Sequence, residues 1–158
     1  MPAGSTYSTI ATTTTSGSTS TVTFSSIAST YTDLIVQYTA TNSGTFFTIR
    51  FNNDSSALYS NTSVYGDGTS AFSARGSGQT SLFGRGTADE TNQMHIMNYS
   101  NTTTFKTTLF AERKAAVVAQ EKVCLYRSTS AIDRIDFISG SGNIAAGGIF
   151  TLYGISAA

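Results

Sequence analysis

The last strand-like stretch, Gly148–Ile155 (GIFTLYGI), constrains the fold more than any other part of the sequence. Its apolar side chains alternate between the two faces of an extended chain, with Phe150 and Leu152 on one face and Ile149 and Tyr153 on the other. Apolar residues on both faces are typical of a strand that is covered on both sides. We therefore expect a central strand in a layered β-protein.

A β-hairpin is the clearest local prediction in the first third of the chain. Asp33–Ala40 (DLIVQYTA) and Phe46–Asn52 (FFTIRFN) both alternate apolar with polar residues, which indicates strands with one buried face. Asn42–Gly44 lies between them and has the composition of a short turn. Two such runs around a short turn predict antiparallel neighbours in one sheet.

The rest of the chain favours short strands joined by turns. Asn53–Asn92 is rich in glycine and is expected to form long loops with one or two short strands, apart from a hairpin-turn signal at Asp67-Gly68. Ala111–Lys122 (AERKAAVVAQEK) is the one stretch of helical composition, and the alternative is a charged bend between strands. The remaining strand-like runs are Thr21–Ile27, Gln93–Tyr99, Thr104–Glu112, Val123–Arg127 and Ala131–Ile138.

Together these patterns predict an all-β domain. Ser and Thr supply roughly a third of the residues, while charged residues supply 11%, far below the usual share of about 25%. Thr is favourable in strands and Ser in turns, so a surface covered by hydroxyl groups suits β-structure better than helix. About eight short strands with frequent turns predict a β-sandwich, and we expect it to be a jelly roll.

Residues Met1–Ser20 differ in composition from the rest of the chain. They are of low complexity with few apolar residues, and such a segment is disordered in isolation. We therefore divide the chain into an extended N-terminal arm, residues 1–20, and a β-sandwich domain, residues 21–158. The arm is expected to lie on a neighbouring subunit, unless it pairs with its own sheet through Tyr7 and Ile10.

The charge balance excludes several classes of partner. Nine basic and nine acidic residues give a formal net charge of +0, so we expect no binding to nucleic acid or to an anionic membrane. A weakly charged surface also repels copies of itself poorly, which favours self-association. Residues Met1–Ile10 lack a basic start and an apolar run, so we expect no secretory signal, and no segment is long enough to cross a bilayer.

Few side chains are suited to catalysis. Cys124, the sole cysteine, lies in an apolar run and is expected to be a small buried residue that forms no intrachain disulfide. His95, the sole histidine, is expected at a surface or an interface, because no G-x-S-x-G elbow accompanies it and zinc ligands are too few. Gly140–Ala145 matches a dinucleotide motif, but Gly147-Gly148 prevents the helix that this motif requires, so we expect a flexible loop. We therefore predict no catalytic residues, no cofactor, no metal site and no enzymatic activity.

The acidic residues remain as candidates for a calcium site or a glycosidase pair. None follows the EF-hand spacing, and turn capping explains Asn52–Asp54 and Asp67 equally well. Since Trp is absent, tyrosines would have to serve as sugar platforms, or else they line subunit contacts. The acids are Asp54 beside Asn52 and Asn53, Asp67, the Asp89-Glu90 pair, and Asp133 with Asp136; the tyrosines are Tyr7, Tyr31, Tyr59 and Tyr65.

Three segments carry a resemblance to a known class of proteins. The C-terminal Phe150–Ile155 (FTLYGI) follows a hydrophobic strand, Ala131–Phe137, and a Ser/Gly loop, Ser139–Asn143. The second segment is FTIRFNND at Phe47–Asp54, and the third is FSSIASTYTDLIV at Phe24–Val36. Taken in their order along the chain, these segments resemble small virion structural proteins of tailed bacteriophages, especially cyanophages and other marine phages.

The resemblance implies a structural role in a virus particle. As a capsid cement or decoration protein, the chain would bind the assembled major capsid protein as a homotrimer and stabilise the shell at the capsid surface. The alternative within the same resemblance is a tail-fibre or receptor-binding protein that recognises a host-surface glycan. In either case the protein is expected to be made in the host cytoplasm and to become part of the virion.

Overall fold

Two antiparallel β-sheets enclose the apolar core, which confirms the predicted all-β sandwich. The structure, a computed structural model, describes residues 6–42, 46–87, 90–114 and 117–156. Within these ranges there are strands and turns but no helix, and hence no apolar helix of membrane-spanning length. The strands are β1 Tyr7–Thr14, β2 Thr21–Phe24, β3 Asp33–Thr39, β4 Phe46–Phe51, β5 Tyr59–Gly66, β6 Ala71–Gln79, β7 Leu82–Arg85, β8 Thr91–Met97, β9 Lys106–Lys114, β10 Val118–Tyr126, β11 Ile135–Ser139 and β12 Ile149–Ile155.

The two sheets differ in width. The large sheet has eight strands in the order β1-β12-β3-β8-β9-β10-β5-β6, and the small sheet has four in the order β2-β11-β4-β7. The small sheet packs against one face of the large sheet and is too narrow to cover all of it. Among the residues that the structure describes, the opposite face of the large sheet is left open to solvent.

The strand pairs are nested one inside the other. β1 pairs with β12, β2 with β11, β3 with β8 and β4 with β7. Successive pairs alternate between the large and the small sheet, as in a long antiparallel ribbon that is rolled around the core. Two hairpins, β5-β6 and β9-β10, are inserted into this ribbon and widen the large sheet on one side.

Aromatic rings from both sheets fill the centre of the core. Tyr38 of β3 stacks on Phe150 of β12 with 5.4 Å between ring centroids, and it meets Phe47 and Phe137 of the small sheet edge-on. Each such aromatic pair contributes about 0.5–1.5 kcal/mol beyond the burial of its apolar area. The Tyr38 hydroxyl donates a hydrogen bond to the backbone oxygen of Arg85 at 2.9 Å, so the ring's polar atom is satisfied.

A network of buried charges joins the two sheets at one end. Glu112 is fully buried, forms an ion pair with Lys122 at 2.5 Å and accepts the backbone N–H of Arg85 at 2.5 Å. Lys122 also donates to the backbone oxygen of Phe83 at 2.9 Å. The fully buried Glu90 pairs with the Arg85 guanidinium at 2.8 Å. Since Phe83 and Arg85 belong to the small sheet, these contacts hold β7 against the large sheet.

The predicted hairpin between Asp33–Ala40 and Phe46–Asn52 is wrong. Both segments form strands, but β3 lies in the large sheet between β12 and β8, whereas β4 lies in the small sheet between β11 and β7. Alternation reports that one face of a strand is buried, and it does not report whether the next strand lies beside it or across the core. The predicted turn at Asn42–Gly44 falls partly on residues 43–45, which lie outside the described ranges.

The last strand is interior, but it is not covered on both faces. β12 lies between β1 and β3, which confirms its predicted interior position. Phe150 and Leu152 are fully buried, whereas Ile149 on the opposite face is 48% exposed and Tyr153 is half-buried. The prediction of cover on both faces is wrong, because the small sheet packs against one face of the large sheet.

Strands also form where the sequence predicted loops or a helix. Asn53–Asn92 contains β5, β6 and β7, and the turn signal at Asp67-Gly68 is confirmed by the β5-β6 hairpin. β6 lacks an apolar alternation because nearly all of it is exposed, and its backbone pairing with β5 holds it in place. Ala111–Lys122 is neither a helix nor a simple bend: it supplies paired ends of β9 and β10, with residues 115–116 outside the described ranges.

The N-terminal segment pairs with its own chain over most of its described length. Tyr7–Thr14 form β1 and pair with β12, as expected from the alternative of intramolecular pairing. Thr15 then donates a side-chain hydrogen bond to the backbone oxygen of Ala145 at 2.5 Å, and the backbone N–H of Ile144 donates to Thr19 at 2.8 Å. Residues 1–5 of the predicted arm lie outside the described ranges.

Replacing Lys122 by Met should destabilise the fold by about 3–5 kcal/mol, because the buried Glu112 carboxylate loses its counter-charge. Urea unfolding followed by circular dichroism measures this free energy. Arg113→Met is a matched control, since the Arg113–Glu121 pair is 56% and 61% exposed and such pairs contribute at most about 1 kcal/mol. Equal losses in the two variants would contradict the role of the buried pair.

Candidate interaction surface

A row of side chains crosses the open face of the large sheet. Each member lies directly opposite the next in the strand pairing, so the row runs perpendicular to the strands. The ends of the row are polar, and its centre is largely apolar. From one sheet edge to the other it contains Thr9, Tyr153, Ile35, His95, Leu109, Val123, Thr62 and Arg75.

Several apolar side chains on this open face are in contact with solvent. Leu109 is 43% exposed and Val123, its cross-strand partner, is 54% exposed, while Val64 in the adjacent row is 59% exposed. Ile35 lies outside the core cluster yet is 4% exposed, because Tyr153 and His95 flank it on the adjacent strands. A contiguous exposed apolar patch with a polar rim is typical of a surface that binds another macromolecule.

A shallow depression of about 280 Å³ lies at the centre of this face. Ile35 and Leu109 supply apolar lining, and Tyr7, Gln93 and Arg113 are among its other lining residues. The depression therefore combines apolar contact area with hydrogen-bond donors and acceptors. Tyrosine and arginine beside a buried aliphatic residue are the residue types that contribute most to binding at protein interfaces.

An acidic residue orients the histidine at the edge of this depression. The Nε2 atom of His95 lies 2.8 Å from Oδ2 of Asp33, and Oδ1 of Asp33 accepts the backbone N–H of Asn98 at 2.8 Å. His95 therefore lies on the surface, as predicted, while its sequence neighbours Met94 and Ile96 are fully buried on the core side. Its contacts give it a fixed orientation on the open face.

The acidic candidates in turns act as caps. Oδ1 of Asp54 accepts the backbone N–H of Ser56 at 2.8 Å, and this hydrogen bond lowers the pKa of the carboxyl group. Asp67 accepts the backbone N–H groups of Ser70 and Thr69 at 2.7 and 2.9 Å, which lowers its pKa in the same way. The turn-capping explanation is therefore confirmed at both positions.

The other acidic candidates are dispersed over the sandwich. Asp136 is buried and pairs with Arg134 at 2.8 Å, whereas Asp133 is exposed. Glu90 belongs to the buried network, and Asp89 lies outside the described residues. Within the described ranges, no group of three or more His, Cys, Asp or Glu side chains is placed to hold a metal ion.

Asn52 and Asn53 have positive φ angles of 53° and 54°. The Asn52 side chain fixes the loop before β11, because its Oδ1 accepts the backbone N–H of Asp133 at 3.0 Å. Gly140–Ala145 lies between β11 and β12, with a strand and not a helix after it, so the dinucleotide motif has no structural basis here.

The tyrosine candidates fall into two groups. Tyr59 is fully buried and stacks on Tyr126 with 4.7 Å between centroids, so its proposed use as an exposed platform is wrong. The Tyr31 ring packs against the Cα of Gly154, and its side chain is half-buried. Tyr7 is 55% exposed on the open face, and Tyr65 stacks on Phe72 with 4.9 Å between centroids. Tyr7 alone among these four lines the central depression.

The exposed apolar residues of β9 and β10 were missed by the sequence analysis. Leu109 and Val123 lie in runs that the sequence predicts only as strand-like. The available signal was the unbroken apolar run Val123–Tyr126 (VCLY), since Cys124 and Tyr126 fill the core side and leave Val123 and Leu125 for the other face. Such a run predicts two apolar faces, and tertiary structure decides whether the second one is covered.

A scan against known protein families finds no match to this chain, and a search of curated proteins finds no significant similarity.

Cys124 should resist Ellman's reagent at pH 8 in the folded protein and react stoichiometrically in urea. The side chain is 2% exposed, and burial raises the pKa of its thiol to about 12. The reagent therefore cannot reach the thiol, and little reactive thiolate is present at pH 8. Absorbance of the released thiolate measures the reaction. Rapid labelling without denaturant would contradict the burial of Cys124.

Proposed function

We propose that this protein is a structural component of a virus particle, a cement or decoration protein that binds and stabilises the assembled capsid shell. The observation that carries the proposal is the open face of the large sheet, where Leu109, Val123 and Val64 form an exposed apolar patch. Gln93, His95 and Arg113 supply polar groups around this patch, so the patch is suited to binding a complementary protein surface. The resemblance of three segments to phage virion proteins supports the same function.

The topology is consistent with this proposal. We infer that the sandwich is a jelly roll, because the four nested strand pairs alternate between the two sheets as in a rolled antiparallel ribbon. Jelly rolls are found in viral capsid and lectin domains. A fold does not assign a function without a site, so the open face remains the main argument.

The binding mechanism follows from the composition of the open face. The apolar patch and the central depression are buried against the assembled major capsid protein, and the polar rim makes hydrogen bonds around them. Because the protein binds the assembled shell and not free subunits, its binding free energy adds to the stability of the shell. Its formal net charge of +0 leaves little repulsion between neighbouring copies on that surface.

Purified virions should contain this protein at a copy number comparable with that of the major capsid protein. The reason is that a cement protein occupies every equivalent position on the shell, whereas a tail component occurs at a few positions. Quantitative mass spectrometry of the particle measures the ratio. A protein that is absent from virions would contradict the proposal, and a ratio typical of tail proteins would favour the second candidate below.

Replacing Leu109 by Glu should weaken binding to the shell about ten-fold or more, because a charge then lies at the centre of the apolar patch. The free energy of unfolding should change by about 0.5 kcal/mol or less, since the residue is exposed. Co-sedimentation with capsids stripped of the protein measures binding. Phe83→Glu is the matched control, because Phe83 is 47% exposed but belongs to the small sheet. If the control loses binding and Leu109→Glu does not, the docking face has been placed on the wrong sheet.

A second candidate is a tail-fibre or receptor-binding protein that recognises a host-surface glycan. The observation in its favour is the same depression, in which Tyr7 offers an aromatic surface and Gln93 and Arg113 offer hydrogen bonds. A low copy number in the particle, together with adsorption of the protein to host cells that Tyr7→Ala abolishes, would support this candidate over the capsid role.

A further inference from the structure

β6 is a long edge of the large sheet with little protection against pairing. It has nine residues, of which seven are exposed, and β5 is its one neighbour in the sheet order. Edges of this length are usually shielded by lysine, proline, short length or a covering loop. The sequence of β6, AFSARGSGQ, contains no Pro and a single charged residue, Arg75, and its one register irregularity lies after Gly76. The described part of the chain therefore leaves β6 ready to accept another strand.

The hydrogen-bonding direction of each β6 residue follows from the hairpin turn. The backbone N–H of Asp67 donates to the oxygen of Ser70 at 3.2 Å, so Ser70 faces β5. In an antiparallel ladder the backbone groups of successive residues point alternately to the two neighbours. Residues 72, 74 and 76 therefore face β5, and residues 71, 73 and 75 direct their N–H and C=O groups to the open edge. The register with β5 shifts after Gly76, where this alternation ends.

We propose that β6 pairs with β6 of a second copy of this chain, antiparallel about a two-fold axis that passes beside Ala74. A two-fold axis perpendicular to the sheet brings two identical edges together in antiparallel orientation. The two large sheets would then form one continuous sheet. This contact is closed, so it produces a dimer, in contrast to the homotrimer that the sequence resemblance implies.

Charge and side-chain size select the register around Ala74. An axis at Arg75 would place that residue opposite its own copy, and like charges directly opposite are destabilising. With the axis at Ala74, Arg75 lies opposite Ser73 of the second copy, which is small, polar and uncharged. This register therefore avoids placing like charges directly opposite each other.

The remaining pairs in this register also fit. Phe72 lies opposite Gly76, and an aromatic side chain across from an edge glycine is a recognised stabilising pair. Ala71 lies opposite Ser77, and both side chains are small. Gly78 has a φ of +63°, which turns the backbone away from extended conformation, so pairing ends after residue 77. The paired segment therefore runs from residue 71 to residue 77 in each copy.

In this dimer the open faces of the two copies lie side by side. An axis perpendicular to the sheet keeps the same face of both copies on one side, so the two apolar patches lie on one continuous surface. Two linked patches bind a surface with repeated sites more tightly than one. The pairing itself does not depend on what the open face binds, so it can be tested on the protein in isolation.

A cysteine at the axis should cross-link the dimer. In Ala74→Cys the two thiols face each other, and the Cα separation of about 4.5 Å expected for a non-hydrogen-bonded antiparallel pair suits a disulfide. Non-reducing gels after mild oxidation should show a dimer. Ala71→Cys is the matched control: it is equally exposed on β6 but lies opposite residue 77, so it should stay monomeric on the gel. Wild type should not cross-link, because Cys124 is buried.

Charge variants at Ser73 test the register without a cross-link. Ser73→Glu should tighten the dimer and Ser73→Lys should weaken it, each about ten-fold in dissociation constant, because residue 73 faces Arg75 of the second copy twice per dimer. Sedimentation equilibrium over a range of concentrations measures the constant, and circular dichroism checks that each variant is folded. A wild-type monomer at all concentrations would overturn the proposal, as would a dimer that responds equally to both variants or that cross-links better through Ala71→Cys.

Discussion

The aromatic contact between Tyr38 and the phenylalanines around it determines how the two sheets face each other. Tyr38 and Phe150 belong to the large sheet, whereas Phe47 and Phe137 belong to the small sheet. The three phenylalanine ring centroids lie 5.2–5.5 Å from that of Tyr38. Burial raises the pKa of the Tyr38 hydroxyl well above its usual value, and the nearby carboxylates of Glu112 and Glu90 raise it further. The hydroxyl therefore stays neutral and donates to the backbone of Arg85, which secures β7 beside this cluster.

The unequal width of the sheets follows from two insertions. The rolled ribbon of nested pairs needs four strands in each sheet, and the β5-β6 and β9-β10 hairpins add four more to the large sheet. The exposed apolar residues of the patch and the centre of the open edge lie on these insertions: Leu109 on β9, Val123 on β10, Val64 on β5 and Ala74 on β6. The minimal sandwich does not require these strands, and they carry most of the exposed apolar residues and the open edge on which the two proposals depend.

The few charged residues of this protein mostly serve its structure. Glu90 and Glu112 are buried beside Arg85 and Lys122, Asp136 is buried beside Arg134, and the carboxylates of Asp54 and Asp67 cap turns. This distribution leaves a surface covered mainly by hydroxyl and apolar groups. Such a surface has weak long-range fields, so contacts of the protein depend on shape, hydrogen bonds and apolar burial at short range.

The sequence by itself determined the all-β class, the buried faces of β3 and β4, the Asp67-Gly68 turn and the interior position of β12. These features depend on local alternation and turn chemistry, which neighbouring residues report directly. Tertiary structure alone decided that β3 and β4 lie in different sheets and that the exposed β6 is a strand. It also left Leu109 and Val123 uncovered, because the small sheet packs against the other face of the large sheet. The physical reason is that alternation records which side chains are apolar, while pairing partners and coverage depend on the distant segments that the chain brings alongside.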